Sequence, residues 1–334
     1  MRLSGKLIGS TILSLLVALI SPIALIAHAA DTAQGVQISP ALVELNASKG
    51  KTYTINLRVM NVTGDSLTYN TSVADFSSSG ETGTPQIVEN SNLPDTASIK
   101  TWVSVETGFT LEAHKEKNVD VTVTIPSNAE AGGHYGVVRF SGSTPNVDTN
   151  GVGLTASAGV LFLIRVDGTI VEKADLASFF TANSKGDQSS FFENSPINFA
   201  VRVENVGNVH VKPTGNIEVR DMFGNVVTTQ PVNSELSNVL PKSIRRFDVK
   251  MDKSWMFGLY TANLTLGYGT TGQAITATTT FWVIPYKLIL AVLIVLATII
   301  FIFSSILKSH NKRIADRVRN EINSQNKNHT KKKG

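Results

Sequence analysis

TYTINLRVM, at residues 52–60, alternates polar and apolar side chains from Thr52 to Val59. Successive side chains of a β-strand point to opposite faces of a sheet, so the apolar residues from Tyr53 to Val59 all face one way. VDVTVTI, at Val119–Ile125, shows the same alternation. An alternation of period two is typical of a strand with one buried face. The two stretches therefore predict a sheet that covers a core on one side.

Many such short runs lie between Val36 and Trp282, and turn-forming residues separate them. The main turns lie at 63–65, 77–83, 126–128, 132–133 and 143–151. Short strands with regular turns are typical of a β-sandwich, whereas an α/β chain would alternate its strands with helical stripes. We therefore predict an all-β fold of two tandem Ig-like β-sandwich domains, followed by a single C-terminal transmembrane α-helix.

The count of two rests on an internal repeat. Residues 55–64, INLRVMNVTG, resemble residues 197–208, INFAVRVENVGN, and residues 131–140, AGGHYGVVRF, resemble residues 256–266, MFGLYTANLTL. Chance similarity of strands and turns could explain either pair alone, but both pairs occur in the same order. The repeat predicts a duplicated sandwich unit. It also predicts equivalent structural roles for Tyr135 and Tyr260, because each follows a glycine turn and opens a strand.

The boundary between the units is expected near a turn at Asp167-Gly168. The stretch Thr169–Ala182 could close the first unit or open the second, and we assign it to the second because the turn precedes it. The predicted sandwiches therefore cover residues 30–168 and 169–284.

LILAVLIVLATIIFIFSSIL, at Leu288–Leu307, contains no charged residue and no proline. Twenty helical residues span the ~30 Å hydrocarbon core of a bilayer. A buried core helix is the alternative, but soluble helices normally keep a polar stripe. The stretch predicts a transmembrane helix, in which the hydroxyls of Thr298, Ser304 and Ser305 can bond to carbonyls of the preceding turn.

The two ends of the chain predict its orientation. Residues 308–334 contain nine Lys and Arg against Asp316 and Glu321, and positive charge beside a span stays cytoplasmic. At the N-terminus, Arg2 and Lys6 precede an apolar stretch and a small-residue pattern at 27–29. This is typical of a cleaved signal peptide covering residues 1–29, although an uncleaved anchor is possible. We expect a single-pass protein with an extracellular N-terminal region and a basic cytoplasmic tail.

Composition and motifs exclude several functions. The region 30–286 has 18 Lys and Arg against 24 Asp and Glu, so the overall pI of 9.1 gives no argument for nucleic-acid binding. The chain has no cysteine and no nucleophile-elbow, zinc-protease or Walker motif. His114, His134 and His210 lack metal-ligand spacing, and Asp75 and Asp120 make no convincing acid–base pair. We expect no catalytic, cofactor or metal site, and therefore no enzyme.

Aromatic residues remain as candidates for contact. Most of them are expected in the core. Trp255, Met256 and Phe257 directly precede the turn at Gly258 and are therefore expected at a rim of the second sandwich, where they would contact a partner.

Most of residues 35–307 is covered by the C-terminal span and by four stretches, Val36–Leu45, Thr52–Val62, Val119–Phe140 and Leu240–Val283. In these stretches and in its layout the chain resembles the WxL-interacting proteins of bacterial surfaces. The resemblance implies a peptidoglycan-binding sandwich, a host-binding sandwich, one C-terminal span and a basic tail at the bacterial cell surface.

We therefore expect a membrane-anchored protein for adhesion or scaffolding. Its sandwiches would contact envelope proteins or cell-wall glycan. The alternative is an accessory subunit of a membrane complex, with partner contacts through the span and tail.

Overall fold

The computed structural model describes residues 35–89, 91–143 and 155–331, apart from the side chains of 155, 156 and 322–331. The signal peptide expected at residues 1–29 lies outside these ranges. Within them the chain is mainly β-sheet and has one long helix, α1, at Tyr286–Lys331. This confirms the prediction of a mainly β chain with a C-terminal apolar helix.

The described strands between residues 36 and 166 form what we call unit one. They are β1 Val36–Ser39, β2 Leu42–Ala47, β3 Thr52–Asn61, β4 Leu67–Ser79, β5 Thr84–Val88, β6 Val103–Val105, β7 Gly108–Leu111, β8 Glu116–Thr124, β9 Gly132–Ser143 and β10 Thr155–Val166. One sheet has the order β1-β3-β8-β6. The other has the order β2-β10-β9-β4-β5, with β7 also paired to β4. A 3₁₀ helix at Ile99–Thr101 precedes β6.

The two sheets of unit one share an apolar core. Leu57 on β3 is buried between the exposed Asn56 and Arg58, and Val59 is buried on the same face. The apolar side chains of Val119–Ile125 alternate with polar residues and are buried. Phe140 and Phe162 fill the core from the other sheet. Burial of each such side chain stabilises the fold by about 1.5–3 kcal/mol. The alternation in the sequence therefore predicted the inward faces of these strands correctly.

The strands between residues 174 and 283 form unit two, which has a separate apolar core. They are β11 Ala174–Ala182, β12 Phe191–Phe192, β13 Ile197–Asn205, β14 Thr214–Arg220, β15 Val226–Val232, β16 Ile244–Met251, β17 Gly258–Tyr268 and β18 Gln273–Val283. One sheet has the order β11-β13-β16, and the other has the order β12-β18-β17-β14-β15. The stretch Thr169–Ala182 contains β11, which pairs with β13.

The two units repeat one topology. The order β1-β3-β8 corresponds to β11-β13-β16, and β2-β10-β9-β4-β5 corresponds to β12-β18-β17-β14-β15. In both units the first strand of the larger sheet runs parallel to its neighbour, β2 to β10 and β12 to β18. The sequence repeat thus coincides with a repeat of strand order. That each unit folds independently stays a prediction.

Two buried asparagines show how closely the repeat is followed. Asn61 ends β3 and Asn205 ends β13, and both are 0% exposed. Each side-chain amide donates to the carbonyl four residues ahead, Asp65 O at 2.7 Å or Val209 O at 2.7 Å. Each side-chain oxygen accepts the backbone N–H two residues ahead, at 3.0 Å and 2.9 Å. The asparagine of the repeated Asn-Val pair is therefore buried in both units and holds the turn that follows its strand.

The equivalence expected for Tyr135 and Tyr260 is wrong. The Tyr260 ring is buried in the core of unit two and stacks on Phe281 with 5.6 Å between ring centroids. Tyr135 is half-buried on the other face of its sheet, where its ring contacts Phe76 and His210 of unit two. The strand registers differ by one residue after the glycine turn, since β9 has a second glycine, and one residue reverses the face.

Helix α1 is long and apolar enough to cross a membrane. Its apolar side chains between Leu288 and Leu307 are exposed and contact no other part of the described chain closely enough to be buried. The hydroxyls of Thr298 and Ser304 donate to Ile294 O and Phe301 O, both at 2.8 Å, as expected from the sequence. Between Leu288 and Leu307 the helix thus satisfies these two hydroxyls internally and exposes apolar side chains.

Candidate functional site

A cleft of about 490 Å³ lies between the two units. Unit one contributes Glu44 on β2 and Arg165 on β10, and unit two contributes His210 and Lys212 from the segment before β14. Glu172, in the connection between the units, completes the charged lining. The cleft therefore exists only because the two units lie side by side, and its character is polar and charged.

Glu44 forms the bridge between β2 and unit two. Its carboxylate accepts hydrogen bonds from Lys212 Nζ at 2.6 Å and Asn238 Nδ2 at 3.0 Å. Partial burial alone would raise the pKa of Glu44, but these two bonds and the charge of Lys212 outweigh it and hold the pKa below its usual value. Glu44 is therefore ionised at neutral pH and paired across the junction.

Glu172 closes the opposite wall of the cleft. Its side chain is largely buried, pairs with Arg165 Nη1 at 2.5 Å, and accepts bonds from the amide and hydroxyl of Thr270 at 2.6 and 2.7 Å. Burial alone would raise the pKa of Glu172. The hydrogen bonds from Thr270 and the charge and hydrogen bond of Arg165 lower it by more, so the pKa lies below its usual value. Because Arg165 belongs to unit one and Thr270 to unit two, Glu172 links both.

His210 lies between these carboxylates. Burial lowers the pKa of His210, and the charges of Lys212 and Arg165 lower it as well. The charges of Glu44 and Glu172 raise it, but the net shift is downward. A neutral imidazole can accept through an unprotonated Nδ1, which lies 3.3 Å from the Tyr135 hydroxyl. The tyrosine therefore contributes to the junction and not to the core of unit one.

A second junction contact comes from the β4–β5 turn of unit one. The Glu81 carboxylate accepts from Arg202 Nε at 2.8 Å and also from Arg202 Nη2. The backbone N–H of Arg246, on β16, donates to Glu81 O at 2.8 Å. The turn thus docks on the outer face and edge of the β11-β13-β16 sheet.

Acidification should weaken this junction, and His210 should account for the first part of the loss. A histidine whose folded pKa lies below its ordinary 6.5 binds its proton more readily when unfolded, so stability falls as the pH falls below about 6.5. Glu44 and Glu172, with pKa values below 4.5, lose their contribution only at lower pH. Melting temperatures of the full chain in detergent, measured from pH 7 down to about pH 2, cover both steps.

His210→Gln is the matched variant, because glutamine can still accept the Tyr135 hydroxyl but does not titrate. The melting temperature of the variant should change less between pH 6.5 and 5 than that of the original chain. At lower pH it should decline in the same way. Identical pH profiles for the two proteins would contradict the role given to His210.

A groove of about 460 Å³ opens on unit two between the free edges of β15 and β16. The bond from Arg246 N to Glu81 O shows that this amide points away from β13. Amide direction alternates along a strand, so the amides of Asp248 and Lys250 also point outward along the groove. The groove is therefore lined by backbone donors and acceptors of a sheet edge.

The three residues expected at the contact rim differ in their exposure. Trp255 is 77% exposed and Phe257 is 62% exposed, but Met256 is 7% exposed and belongs to the core of unit two. Including Met256 in an exposed rim was wrong, because it follows the inward alternation into the core. The other two side chains lie at the end of unit two from which α1 begins.

The other singled-out polar residues are dispersed. Asp75 is buried and accepts from Ser98 Oγ at 2.6 Å and Ile99 N at 2.9 Å, whereas Asp120 accepts from Asn56 on the exposed face of the other sheet. His134 is buried and His114 is exposed. Among the described residues, no group of three or more His, Asp or Glu side chains could hold a metal ion.

The sequence did not indicate the charged residues of the junction. Glu44 and Lys212 are 168 positions apart, and Glu81 and Arg202 are 121 apart. Single charged residues on alternating strands carry no pairing signal, because any of them could be solvated. Only the relative placement of the units brings these charges together.

No protein-family model and no curated protein matches the chain. Among solved structures, the YadV chaperone is 12% identical with a TM-score of 0.37, over 74% of this chain and 100% of that chain. The class 5 fimbriae chaperone CfaA is 13% identical with a TM-score of 0.39, over 73% and 98%. The Pseudomonas aeruginosa CupB2 chaperone is 12% identical with a TM-score of 0.34, over 73% and 100%. At these identities and scores, the chaperone role belongs to those proteins and carries no argument for this chain.

Proposed function

We propose that the chain is a membrane-anchored, non-catalytic binding protein of the bacterial cell envelope. Two tandem Ig-like β-sandwich domains, at 30–168 and 169–284, lie outside the membrane, and the span at 288–307 leads to a cytoplasmic tail. The domains serve adhesion or scaffolding by binding an envelope protein. The resemblance to WxL-interacting proteins supports this placement.

The observation that carries the binding proposal is the groove between β15 and β16. An added strand can pair with outward amides and carbonyls of a free edge, and alternate side chains then confer specificity. The chain already uses this edge once, because Arg246 N donates to Glu81 O. The row of outward backbone amides continues from Arg246 through Asp248 and Lys250 toward the end of β16. A protein segment in extended conformation is the occupant that fits this surface.

At the junction cleft and the groove between β15 and β16, the geometry favours a protein over a glycan. Sugars stack on exposed aromatic rings beside polar groups, and among the described residues that line the junction cleft Tyr268 is the one Phe, Tyr or Trp. Its ring is buried and its hydroxyl donates to Gln273 Oε1 at 2.6 Å, so it offers no stacking platform. The groove between β15 and β16 presents backbone atoms and charged side chains instead.

The anchoring part of the proposal is supported by α1. An apolar surface exposed all round over residues 288–307 would be unfavourable in water, and its length matches a bilayer. The nine basic residues after it favour a cytoplasmic tail and so support an outer position for both units.

Proline at position 248 should abolish strand pairing at this edge. Asp248→Pro removes one outward N–H but leaves the ladder to β13 intact, which is the position where an edge strand tolerates proline. The full chain, purified in detergent and immobilised, is incubated with envelope extract, and captured proteins are quantified. We expect at least about a tenfold loss of the specific partner, equivalent to roughly 1.4 kcal/mol.

Asp248→Ala is the matched control, since it removes the same carboxylate and retains the amide. It should capture as the original chain does, and so should a chain lacking residues 308–334. Equal capture by the proline variant would refute the edge as the binding surface. Loss of capture on tail deletion would favour the alternative, an accessory subunit that contacts a membrane complex through its span and tail.

A further inference from the structure

Exposed apolar side chains of unit two gather at the end from which α1 begins. The strand register shows this directly, because Gly258 at the start of β17 is opposite Val283 at the end of β18. The last residue of β14, Arg220, is opposite Thr261 on β17. The loops 221–225 and 252–257 therefore lie at the same end as the chain segment that enters the helix.

Four side chains at this end form what we call the aromatic rim: Met222, Phe223, Trp255 and Phe257. All are exposed, with Phe223 at 82% and Trp255 at 77%. Phe191, Trp282 and Tyr286 are also exposed and lie on the adjoining strands or at the start of α1. Large exposed apolar side chains of this kind, grouped at one end, mark an interaction surface.

The loops that carry the rim are held by internal bonds. Asp221 Oδ1 accepts the N–H groups of Phe223 and Asn225, both at 2.9 Å. Phe257 N donates to the buried Tyr260 hydroxyl at 2.9 Å. The exposed side chains are therefore presented on fixed turns while the polar groups of the turns are satisfied.

The start of α1 is fixed to the same end. Only Ile284 and Pro285 separate β18 from the helix, and Lys287 Nζ pairs with Glu193 Oε2 at 2.7 Å. Neighbouring strands are about 4.8 Å apart, so β14 lies only about 10 Å from β18. The rim is thus within one or two strand spacings of the point where the helix leaves the sandwich.

We propose that the aromatic rim inserts into the headgroup region of the bilayer that α1 enters, and so holds unit two against the membrane surface. Tryptophan and tyrosine concentrate in this region because their rings are amphipathic. The inference rests on the proposed function, in which α1 spans a membrane. It assigns Trp255 and Phe257 to lipid, and leaves the groove between β15 and β16 as the protein-binding surface.

The charges beside the rim are mixed. The loops of the rim contain Asp221, Asp252 and Lys253, and Lys287 at the start of α1 pairs with Glu193, so no single sign dominates. Insertion should therefore depend on apolar and aromatic contact and not on anionic lipid. Zwitterionic vesicles are sufficient for a test.

Fluorescence of single tryptophans can test the insertion. The chain has three, and Trp102 is buried in unit one with its Nε1 donating to Asp95 O at 2.6 Å. The full chain carrying Trp282→Phe is reconstituted in phosphatidylcholine vesicles with acyl chains brominated near the headgroup. The emission of the Trp255→Phe, Trp282→Phe double variant comes from Trp102 alone. Subtracting it from the emission of the Trp282→Phe chain gives the emission of Trp255. We expect loss of most of this emission, with a blue shift, while Trp102 is unchanged.

Two further measurements separate the possible failures. Flotation of the vesicles shows whether the chain is anchored in them. The Trp255→Phe single variant, compared with the double variant, reports the quenching of Trp282. A chain that does not float with the vesicles overturns both the anchoring and the insertion. A chain that floats, with Trp282 quenched and Trp255 unquenched, overturns only the insertion and leaves the rim free for a protein partner. Replacement of Phe223 and Phe257 by serine should reduce the quenching of Trp255, and unchanged quenching would also contradict the proposal.

Discussion

Replacing Tyr260 by alanine should destabilise unit two by about 3–5 kcal/mol, the usual cost of truncating a large buried aromatic side chain. The ring is buried, stacks on Phe281, and belongs to the core shared by both sheets of the unit. Its hydroxyl accepts Phe257 N at 2.9 Å and lies 3.3 Å from Phe257 O. The truncation therefore removes packing and also frees the turn before β17.

Hydrogen exchange in the full chain is the measurement of choice, because it reports each unit separately. A loss of 3 kcal/mol should accelerate the slowest amides of β17 and β18 by about 100-fold or more. Tyr260→Phe keeps the ring and loses only the hydroxyl bonds, so its cost should be about 0.5–1.5 kcal/mol. Equal exchange in the alanine variant and the original chain would contradict a structural role for the ring.

Tyr135 provides the contrast within the same chain. Its ring lies at the junction beside Phe76 and His210 and is half-buried. Tyr135→Ala should leave the exchange of the core of unit one largely unchanged and should weaken the contact with unit two. The internal repeat aligned Tyr135 with Tyr260 because a glycine turn precedes each of them.

The difference between the tyrosines shows how far the sequence alone reaches. Alternation along β3 and β8 predicted which side chains are buried, since period two follows directly from strand geometry. It could not show that a second glycine, Gly133, moves Tyr135 one position along β9 relative to Tyr260 on β17. A shift of one residue exchanges the faces of a strand, and a short motif match does not detect it.

The candidate sites were still less accessible to sequence reasoning. Trp255 and Phe257 were recognised because a glycine turn follows them, which is a local signal. The groove between β15 and β16 and the pair of Glu44 with Lys212 depend on which strands are edges and on how the units lie together. These are properties of topology and long-range placement, and no periodicity or spacing encodes them in a single sequence.

Replacing Asn205 by aspartate should disrupt unit two as strongly as any core truncation. The Nδ2 group donates to Val209 O at 2.7 Å and Val239 O at 2.8 Å, while Oδ1 accepts Gly207 N. Aspartate would place an oxygen against two carbonyl oxygens in a site with no access to water. Each buried polar group left without a partner costs about 1–3 kcal/mol, so we expect about 3–5 kcal/mol for Asn205→Asp and a similar loss for Asn205→Ala.

Asn61→Asp is the matched variant in unit one, because the Asn61 amide donates to Asp65 O and Leu111 O in the equivalent turn. If the units fold independently, each variant should accelerate hydrogen exchange about 100-fold or more in its own unit and little in the other. The half-exposed Lys212–Glu44 and Arg202–Glu81 pairs of the junction support this expectation, since such ion pairs contribute little to stability. Acceleration of both units by either variant would instead show one cooperative fold, and the boundary at residue 168 would then have no energetic meaning.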